Sequence, residues 1–320
     1  MPEKSAQNVI SIVIPFLNEE ENLPVLYERI CTAFENQPES VELIFVDDGS
    51  SDRSPGWVTA QSEDDDRVRL LQLSRNFGHQ LAITAGMDYA GGDAVIIMDA
   101  DLQDPPEVIP ELLARWRDGS DVVYAVRRSR EGERFMKKFL AASFYKIFRR
   151  AANIEVPLNA GDFRLVDRKA VDALREVREL HRFVRGLTCW VGFEQDAVYY
   201  ERAARYAGET KYPVWKSARL AWDALTSFSG APLRWITGFG ILVAIFGLLI
   251  MLYVVISKIL QAENLEPGWA TIVSLILFIG GVQLISLGLV GQYVSRTFEE
   301  SKKRPLYFVK NRIGWPADHA

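Results

Sequence analysis

Two stretches near the C-terminus constrain this chain more than anything else in it. Residues 235–257, WITGFGILVAIFGLLIMLYVVIS, carry no charged side chain, and neither do residues 269–295, WATIVSLILFIGGVQLISLGLVGQYVS. Each run exceeds the roughly 20 residues a helix needs to cross a hydrocarbon core. Trp235, Tyr253, Trp269 and Tyr293 lie near the ends of the runs, where aromatic rings favour the membrane interface. Gly280, Gly281, Gly288 and Gly291 permit close helix approach, so a transmembrane hairpin is predicted. Lys216, Arg219 and Arg234 precede the first span, and Arg296, Lys302, Lys303, Arg304, Lys310 and Arg312 follow the second. The loop between them offers only Lys258 against Glu263 and Glu266. By the positive-inside rule, both termini and everything before the hairpin face the cytoplasm of an inner or plasma membrane.

What precedes the hairpin must fold by itself. The chain is 48% hydrophobic and 25% charged, a globular rather than a disordered composition. Its net charge of -5 argues against nucleic acid as a partner, since phosphate-tracking proteins carry a positive excess. Cys31 and Cys189 stand far apart with no CxxC pattern, so neither a disulfide framework nor a structural zinc is expected. The first apolar run, residues 9–15, is followed at once by Asn18-Glu19-Glu20-Glu21, which no secretory signal would carry.

Residues 9–15, 41–46, 68–73, 94–98 and 121–126 read as buried strands, and residues 22–35, 79–89 and 106–117 as helices. Such alternation predicts an α/β domain with a mostly parallel, Rossmann-like sheet covered by helices. Ligands in these sheets bind beyond the carboxyl ends of the strands. Two acidic clusters sit there. Asp47-Asp48-Gly49-Ser50-Ser51-Asp52 follows the second strand, and Asp99-Ala100-Asp101-Leu102-Gln103-Asp104-Pro105-Pro106 the fourth. Acids so crowded repel unless a cation or hydrogen-bond donors relieve them. A hard divalent ion such as Mg2+, completing its shell with phosphate oxygens, suits the pattern. Asp104 has a second reading, as the residue that shapes entry into the following helix. Glu63-Asp64-Asp65-Asp66 reads as a solvated loop. His79, His181 and His319 show no ligand spacing and receive no metal or catalytic role.

The segments SIVIPFLNEE (residues 11–20), VDDGSSD (46–52), SRNFG (74–78) and DADLQDPPE (99–107) resemble the family 2 glycosyltransferases of GT-A fold. Within that family the chain is similar to the polyprenyl-phosphate glycosyltransferases, including dolichyl-phosphate mannose synthase and the GtrB-like bactoprenol glucosyltransferases. The likeness runs over nearly the whole chain, spans included. It implies an inverting transfer of a sugar from a nucleotide diphosphate sugar, UDP-glucose as the leading choice, to polyprenyl (undecaprenyl) phosphate. Pro15, Asn18 and Glu20 would line the nucleotide pocket and Asp48 would contact base or ribose. Asp99 and Asp101 would hold the donor phosphates through Mg2+ or Mn2+, with Gln103 as a further ligand. Arg75 is open between a site role and a structural ion pair. Asp162, in Asn159-Ala160-Gly161-Asp162-Phe163-Arg164-Leu165, matches the segment whose Asp is proposed as catalytic base. A lipid monophosphate is already largely ionised at neutral pH, so Asp162 has orienting the acceptor or stabilising the developing sugar cation as alternative roles. A homo-oligomer is also implied.

An anionic acceptor needs cations. Arg127 and Arg128 follow the fifth strand, with Arg130 close by, and Arg202, Arg205 and Lys211 flank Gly208-Glu209-Thr210. Arginine can grip phosphate in a bidentate fork, lysine as a point charge. Spacing leaves open which of them touch the acceptor and which the donor diphosphate. Residues 133–150 and 213–230 combine apolar faces with basic residues, as helices lying on an anionic bilayer do. The organisation expected is therefore a GT-A domain over residues 1–212, an interfacial helix at 213–230, and a hairpin plus cytoplasmic tail over 231–320. Two rival readings are a processive polysaccharide synthase of the same fold and a non-enzymatic lipid-binding or flippase component. The first normally carries QxxRW, whereas Ala231 precedes Arg234-Trp235 here. The second would not need ordered carboxylates.

Overall fold

The computed structural model describes residues 8–128, 160–201, 230–259 and 268–315. The chain divides into two compact units, Met1–Pro213 with Pro305–Ala320, and Val214–Arg304.

The first unit is built on eight strands: β1 (Val9–Phe16), β2 (Ser40–Asp47), β3 (Val68–Leu73), β4 (Ala94–Ile97), β5 (Val122–Arg127), β6 (Ala160–Asp167), β7 (Gln195–Tyr200) and β8 (Val309–Ile313). They form one sheet in the order β7-β5-β6-β4-β1-β2-β3-β8. Pairing is parallel through β3, β2, β1 and β4 and between β5 and β7. Strand β6 runs antiparallel to both β4 and β5, and β8 antiparallel to β3. The mostly parallel α/β architecture expected from the sequence is what forms. Runs such as Val9–Phe16 are apolar on both faces because helices cover both.

Helices α1 (Asn22–Phe34), α2 (Ser54–Asp64), α3 (His79–Tyr89), α4 (Ile109–Arg117), α5 (Arg168–Glu176) and α6 (Val184–Trp190) supply that cover, with a 3-10 turn at Pro106–Val108 leading into α4. Helix α1 buries Leu23, Leu26, Ile30 and Phe34 at helical spacing. Those side chains join the core with Ile10, Ile12, Ile14, Leu43 and Phe45. Helix α2 continues through Glu63 and Asp64, where the sequence predicts a loop. The acid after them, Asp65, is bonded by Arg67 and by the Tyr27 hydroxyl, the latter at 2.8 Å.

The second unit contains α7 (Ala231–Ile259, 29 residues) and α8 (Trp269–Ser301, 33 residues). At about 1.5 Å per residue each is longer than the roughly 30 Å hydrocarbon core of a bilayer. Leu242, Phe246, Ile276 and Leu284 point outward, an apolar surface that suits lipid and not water. Residues 133–150 and most of 213–230 fall outside the described residues. The tail departs from the sequence reading: it returns to the first unit as β8. Its charged, mostly exposed residues Lys310 and Arg312 hide the strand from a pattern search, since an edge strand needs only one buried face and often carries lysine.

Helix α3 crosses the sheet at Gly86, where a Cβ would stand 2.2 Å from Val13 Cγ1. Gly56 in α2 has nothing within 4 Å of that position. We expect Gly86→Ala to lose about 1–3 kcal/mol of stability through overpacking. Gly56→Ala should hold or slightly raise it by restricting the unfolded chain. Thermal unfolding of the detergent-solubilised chain measures both.

Candidate active site

The parallel strands end in loops on one edge of the sheet. After β1, Asn18 takes a left-handed conformation, φ 57°, which asparagine tolerates. Its Oδ1 accepts a hydrogen bond from the Ser51 amide at 2.8 Å, and its own amide donates to Ser50 Oγ at 3.0 Å. Glu20 Oε2 accepts from the Arg53 amide at 3.1 Å. Asn18 and Glu20 therefore fasten the loop after β1 to the loop after β2, and neither lines the cavity beside them. That cavity, about 320 Å³, is lined by Pro15, Asp48, Asp99 and Asp101, together with Asn76, Gly78 and His79. Its size falls in the range of small-molecule sites.

Asp48 is buried, and its carboxylate accepts from the Phe77 amide at 2.7 Å and the Gly78 amide at 3.0 Å. Burial pushes its pKa up, against those two N–H donors. Gly49, at φ 84°, completes the junction: a Cβ there would lie 2.8 Å from the Asn76 nitrogen. The Asp47–Asp48 turn and the Arg75–Gly78 loop are thus one packed wall. Arg75 stacks over the Phe77 ring at 4.1 Å and donates to the Asn76 carbonyl.

Beyond β4, Asp101 Oδ1 accepts from the Gln103 amide at 3.1 Å, and Leu102 adopts φ 59°. This Asx turn aims the loop across the sheet edge. The Gln103 side chain is not among the groups lining the cavity. Asp104 is fully buried, accepting from Arg127 Nη2 at 3.2 Å and from the Tyr200 hydroxyl. Arg127 Nε also donates to Tyr200 at 3.1 Å. The sequence offers Arg127 to a substrate phosphate, whereas the structure pairs it with Asp104; Arg128 beside it is exposed. Arg130, Arg202, Arg205 and Lys211 lie outside the described residues.

Because β6 is antiparallel, its first residues arrive at the edge where its neighbours end. The register pairs Ile97 with Arg164, which carries Asp162 to the level of Asp99. Asp162 is 3% exposed. Arg185 grips it bidentately, Nε to Oδ1 and Nη2 to Oδ2, both at 2.8 Å. Arg164, itself 0% exposed, stands 3.5 Å from Oδ1. His79 Nε2 lies 3.2 Å from Asp162 Oδ2 and 3.4 Å from Asp99 Oδ1. Burial acts to raise the pKa of Asp162, but the Arg185 fork and His79 outweigh it and hold the carboxyl well below its ordinary value. Asp99 goes the other way: burial first, relieved in part by His79 and reinforced by Asp162, Asp104 and Asp101, pushes it up to about 6. The two neighbouring acids are thus pushed in opposite directions. The His79 pKa is raised although burial opposes it, because Asp162 and Asp99 face the ring.

His79, Asp99 and Asp162 present ligand atoms within 4.8 Å of one another, a candidate metal site among the described residues. Asp99 Oδ1 is buried and accepts no hydrogen bond, so acceptor capacity there exceeds the donors supplied. A cation fits such a deficit. Asp162, occupied by Arg185, is the weaker ligand of the three.

The sequence gives His79 no role; the structure sets it between Asp99 and Asp162 on the cavity wall. Its linear spacing has no ligand pattern, yet its position directly after the loop following β3 was the usable signal. Arg185, in the first turn of α6, carries no sequence signal; only packing of α6 against β6 brings it to Asp162.

The model of glycosyl transferase family 2 matches residues 11–175, and that of the GtrB C-terminal hairpin matches residues 231–297. The chain is 46% identical over 304 residues to an uncharacterized glycosyltransferase of Bacillus subtilis, covering 95% of this chain and 94% of the relative. It is 41% identical over 302 residues to the bactoprenol glucosyl transferase of Shigella phage SfV, covering 94% and 98%. The prophage bactoprenol glucosyl transferase homolog of Escherichia coli is 40% identical over 301 residues, with 94% and 98% covered. Among solved structures, glucosyl-3-phosphoglycerate synthase from Mycobacterium tuberculosis with Mn2+ and UDP-Glc aligns at TM-score 0.46 and 19% identity, over 70% of this chain and 79% of that one.

Removing the Asp162 charge would strand buried Arg164. We expect Asp162→Asn to cost about 3–5 kcal/mol at neutral pH. A carboxyl whose folded pKa is depressed stabilises fully above its unfolded value, near 4, and loses that contribution as pH falls through the folded value. The gap in thermal midpoint between wild type and variant should therefore narrow below about pH 4. A gap independent of pH would show that Asp162 is not held ionised.

Proposed function

This chain belongs to glycosyl transferase family 2 and ends in a GtrB-type hairpin, and from that premise we propose that it transfers glucose from UDP-glucose to a polyprenyl phosphate, undecaprenyl phosphate in bacteria, at the cytoplasmic membrane face. One observation carries the reading: Asp48, Asp99 and Asp101 meet on a single cavity at the sheet edge in a chain about 40% identical, nearly end to end, to bactoprenol glucosyl transferases.

In this reading Pro15, Asp48 and the Arg75–Gly78 loop shape the nucleotide pocket, and Asn18 and Glu20 hold its outer loops together. Asp99 and Asp101 would hold Mg2+ or Mn2+, with Gln103 or His79 as candidates for a further ligand. Such an ion, when bound, neutralises the charge of a diphosphate leaving group. A lipid phosphate oxygen displaces the nucleoside diphosphate in line at the anomeric carbon, inverting its configuration. The C1–O bond to the diphosphate breaks as the C1–O bond to the lipid phosphate forms.

Asp162 fits a supporting part better than that of a base. Its oxygens are engaged by Arg185 and His79, and a carboxylate with so low a pKa is a weak proton acceptor. A phosphate monoester needs no deprotonation at neutral pH to act as nucleophile. Asp162 instead holds Arg185 and keeps His79 oriented at the cavity. Arg128, with Arg130, Arg202, Arg205 and Lys211, supplies the candidates for gripping the lipid phosphate. The flanking charges of the hairpin support cytoplasmic termini, and a homo-oligomer in the membrane accords with the glycines along α8.

Membranes containing the protein, incubated with labelled UDP-glucose and undecaprenyl phosphate, should yield a labelled lipid, and labelled GDP-mannose should not replace the donor. Asp101→Asn should lower the rate by about 100-fold or more, equivalent to about 2.7 kcal/mol of lost transition-state stabilisation. Full activity in that folded variant would remove Asp101 from the metal site, and a preference for GDP-mannose would overturn the donor assignment.

A further inference from the structure

After α8 ends at Ser301, the chain contributes a final strap to the first unit. Strand β8 pairs with β3, Gln72 opposite Asn311 and Leu73 opposite Val309, with a bulge between the two pairs. The Ser74 amide then donates to the Phe308 carbonyl at 2.9 Å. Side chains fasten the strap at both ends. Before β8, Tyr307 donates to Asp88 Oδ2 at 2.7 Å, an oxygen that Arg178 also binds. After it, Trp315 meets the Tyr89 ring edge-on at 6.0 Å and lies under Arg69.

The strap adds little to the core: Leu306 is buried, and β8 contributes the partly buried Ile313. What it does reach is the donor cavity, by two separate routes. Phe308 packs on Phe77 at 6.4 Å between ring centres. The amides of Phe77 and Gly78 are those that bind Asp48, and Asn76 and Gly78 line the cavity. Asn311 Nδ2 donates to Gln72 Oε1 at 2.8 Å, and Gln72 Nε2 donates to Asp47 Oδ2 at 3.0 Å. Asp47 Oδ1 in turn accepts from the Ser50 amide at 2.8 Å, closing the turn that carries Asp48. One route ends on the Arg75–Gly78 loop and the other on the Asp47–Ser50 turn, the two halves of one wall.

We propose that residues 306–315 are a positioning element of the donor site, with Phe308 and Asn311 holding the two loops that receive the nucleotide diphosphate sugar. The inference rests on the donor-site reading above. It follows from the geometry that the strap acts on donor affinity and not on the acceptor. Loops that form a binding wall must be held within fractions of an ångström, and rigid support of this kind sets affinity through preorganisation.

Phe308 is 57% exposed and Asn311 is exposed, so replacing them leaves the core intact. In full-length protein in lipid nanodiscs, the double variant Phe308→Ala, Asn311→Ala should bind UDP-glucose about tenfold more weakly by calorimetry. Its donor KM should rise by a similar factor, while acceptor KM, kcat and thermal midpoint stay at wild-type values. Hydrogen exchange at the Phe77 and Gly78 amides should quicken, and Phe308→Tyr with Asn311 retained should restore both affinity and protection. Unchanged donor affinity in the double variant, beside a wild type that binds, overturns the strap alone. Weakening of donor and acceptor together with a fall in thermal midpoint overturns it too, by showing a merely structural role. A wild type that binds no UDP-glucose overturns the donor reading and the strap's role with it.

Discussion

Like-charge repulsion at one edge of the sheet is the constraint around which this protein is arranged. Asp48, Asp99, Asp101, Asp104 and Asp162 all end up near the carboxyl ends of the strands, where unrelieved carboxylates would force one another to take up protons. The structure answers each differently. Asp48 is met by backbone amides, Asp104 by Arg127 and Tyr200, and Asp162 by a bidentate arginine with a second arginine behind it. Asp99 and Asp104 each keep one buried oxygen without a hydrogen bond, and of the two only Asp99 lines the cavity.

Topology makes this concentration possible. A wholly parallel sheet would bring only strand ends to the edge, each separated by a crossover helix. Inserting β6 in the opposite sense between β4 and β5 delivers the start of a strand there, with Asp162 opposite Asp99 and Arg164 pointing into the core behind it. The buried Arg164 also accepts the carbonyls of its own strand as partners, donating to those of Gly161 and Asp162 at 2.7 and 3.1 Å. Backbone and carboxylate together compensate a charge that burial alone would make costly.

Much of this was legible in the sequence, and the parts that were not have physical reasons. The buried strands β1 to β5 are mainly apolar, broken by residues such as Ser11, Glu42, Arg69 and Gln72, and burial on both faces writes itself into that composition. Pairs of acids just after two of them located the cavity. The long spans of α7 and α8 are equally plain, because hydrocarbon forbids charge over a fixed length. Strand β8 escaped because its register is set by pairing to β3 and not by an apolar pattern of its own. Arg185 and the Asp104–Arg127 pair escaped for a related reason. Which arginine meets which carboxylate depends on contacts between elements distant in the chain, and charge at a strand end does not say whether it faces a substrate or a buried partner. The neighbours of His79, Asp99 and Asp162, are close in space and far apart in sequence, so spacing could not show them.

The division between Asp99 and Asp162 also bears on what kind of reaction the edge can support. A general base works best with a pKa near the operating pH, and a carboxylate pinned by two arginines is far from that. A phosphate nucleophile arrives already ionised, so no acid in the site must take its proton, and the cations nearby can be spent on orientation. The low pKa of Asp162 is compatible with the acceptor proposed above, which brings its own negative charge. What an anionic acceptor does require is relief from the aspartates it must approach. His79, 3.4 Å from Asp99 Oδ1, and Arg185, forked onto Asp162, are groups that offset those charges.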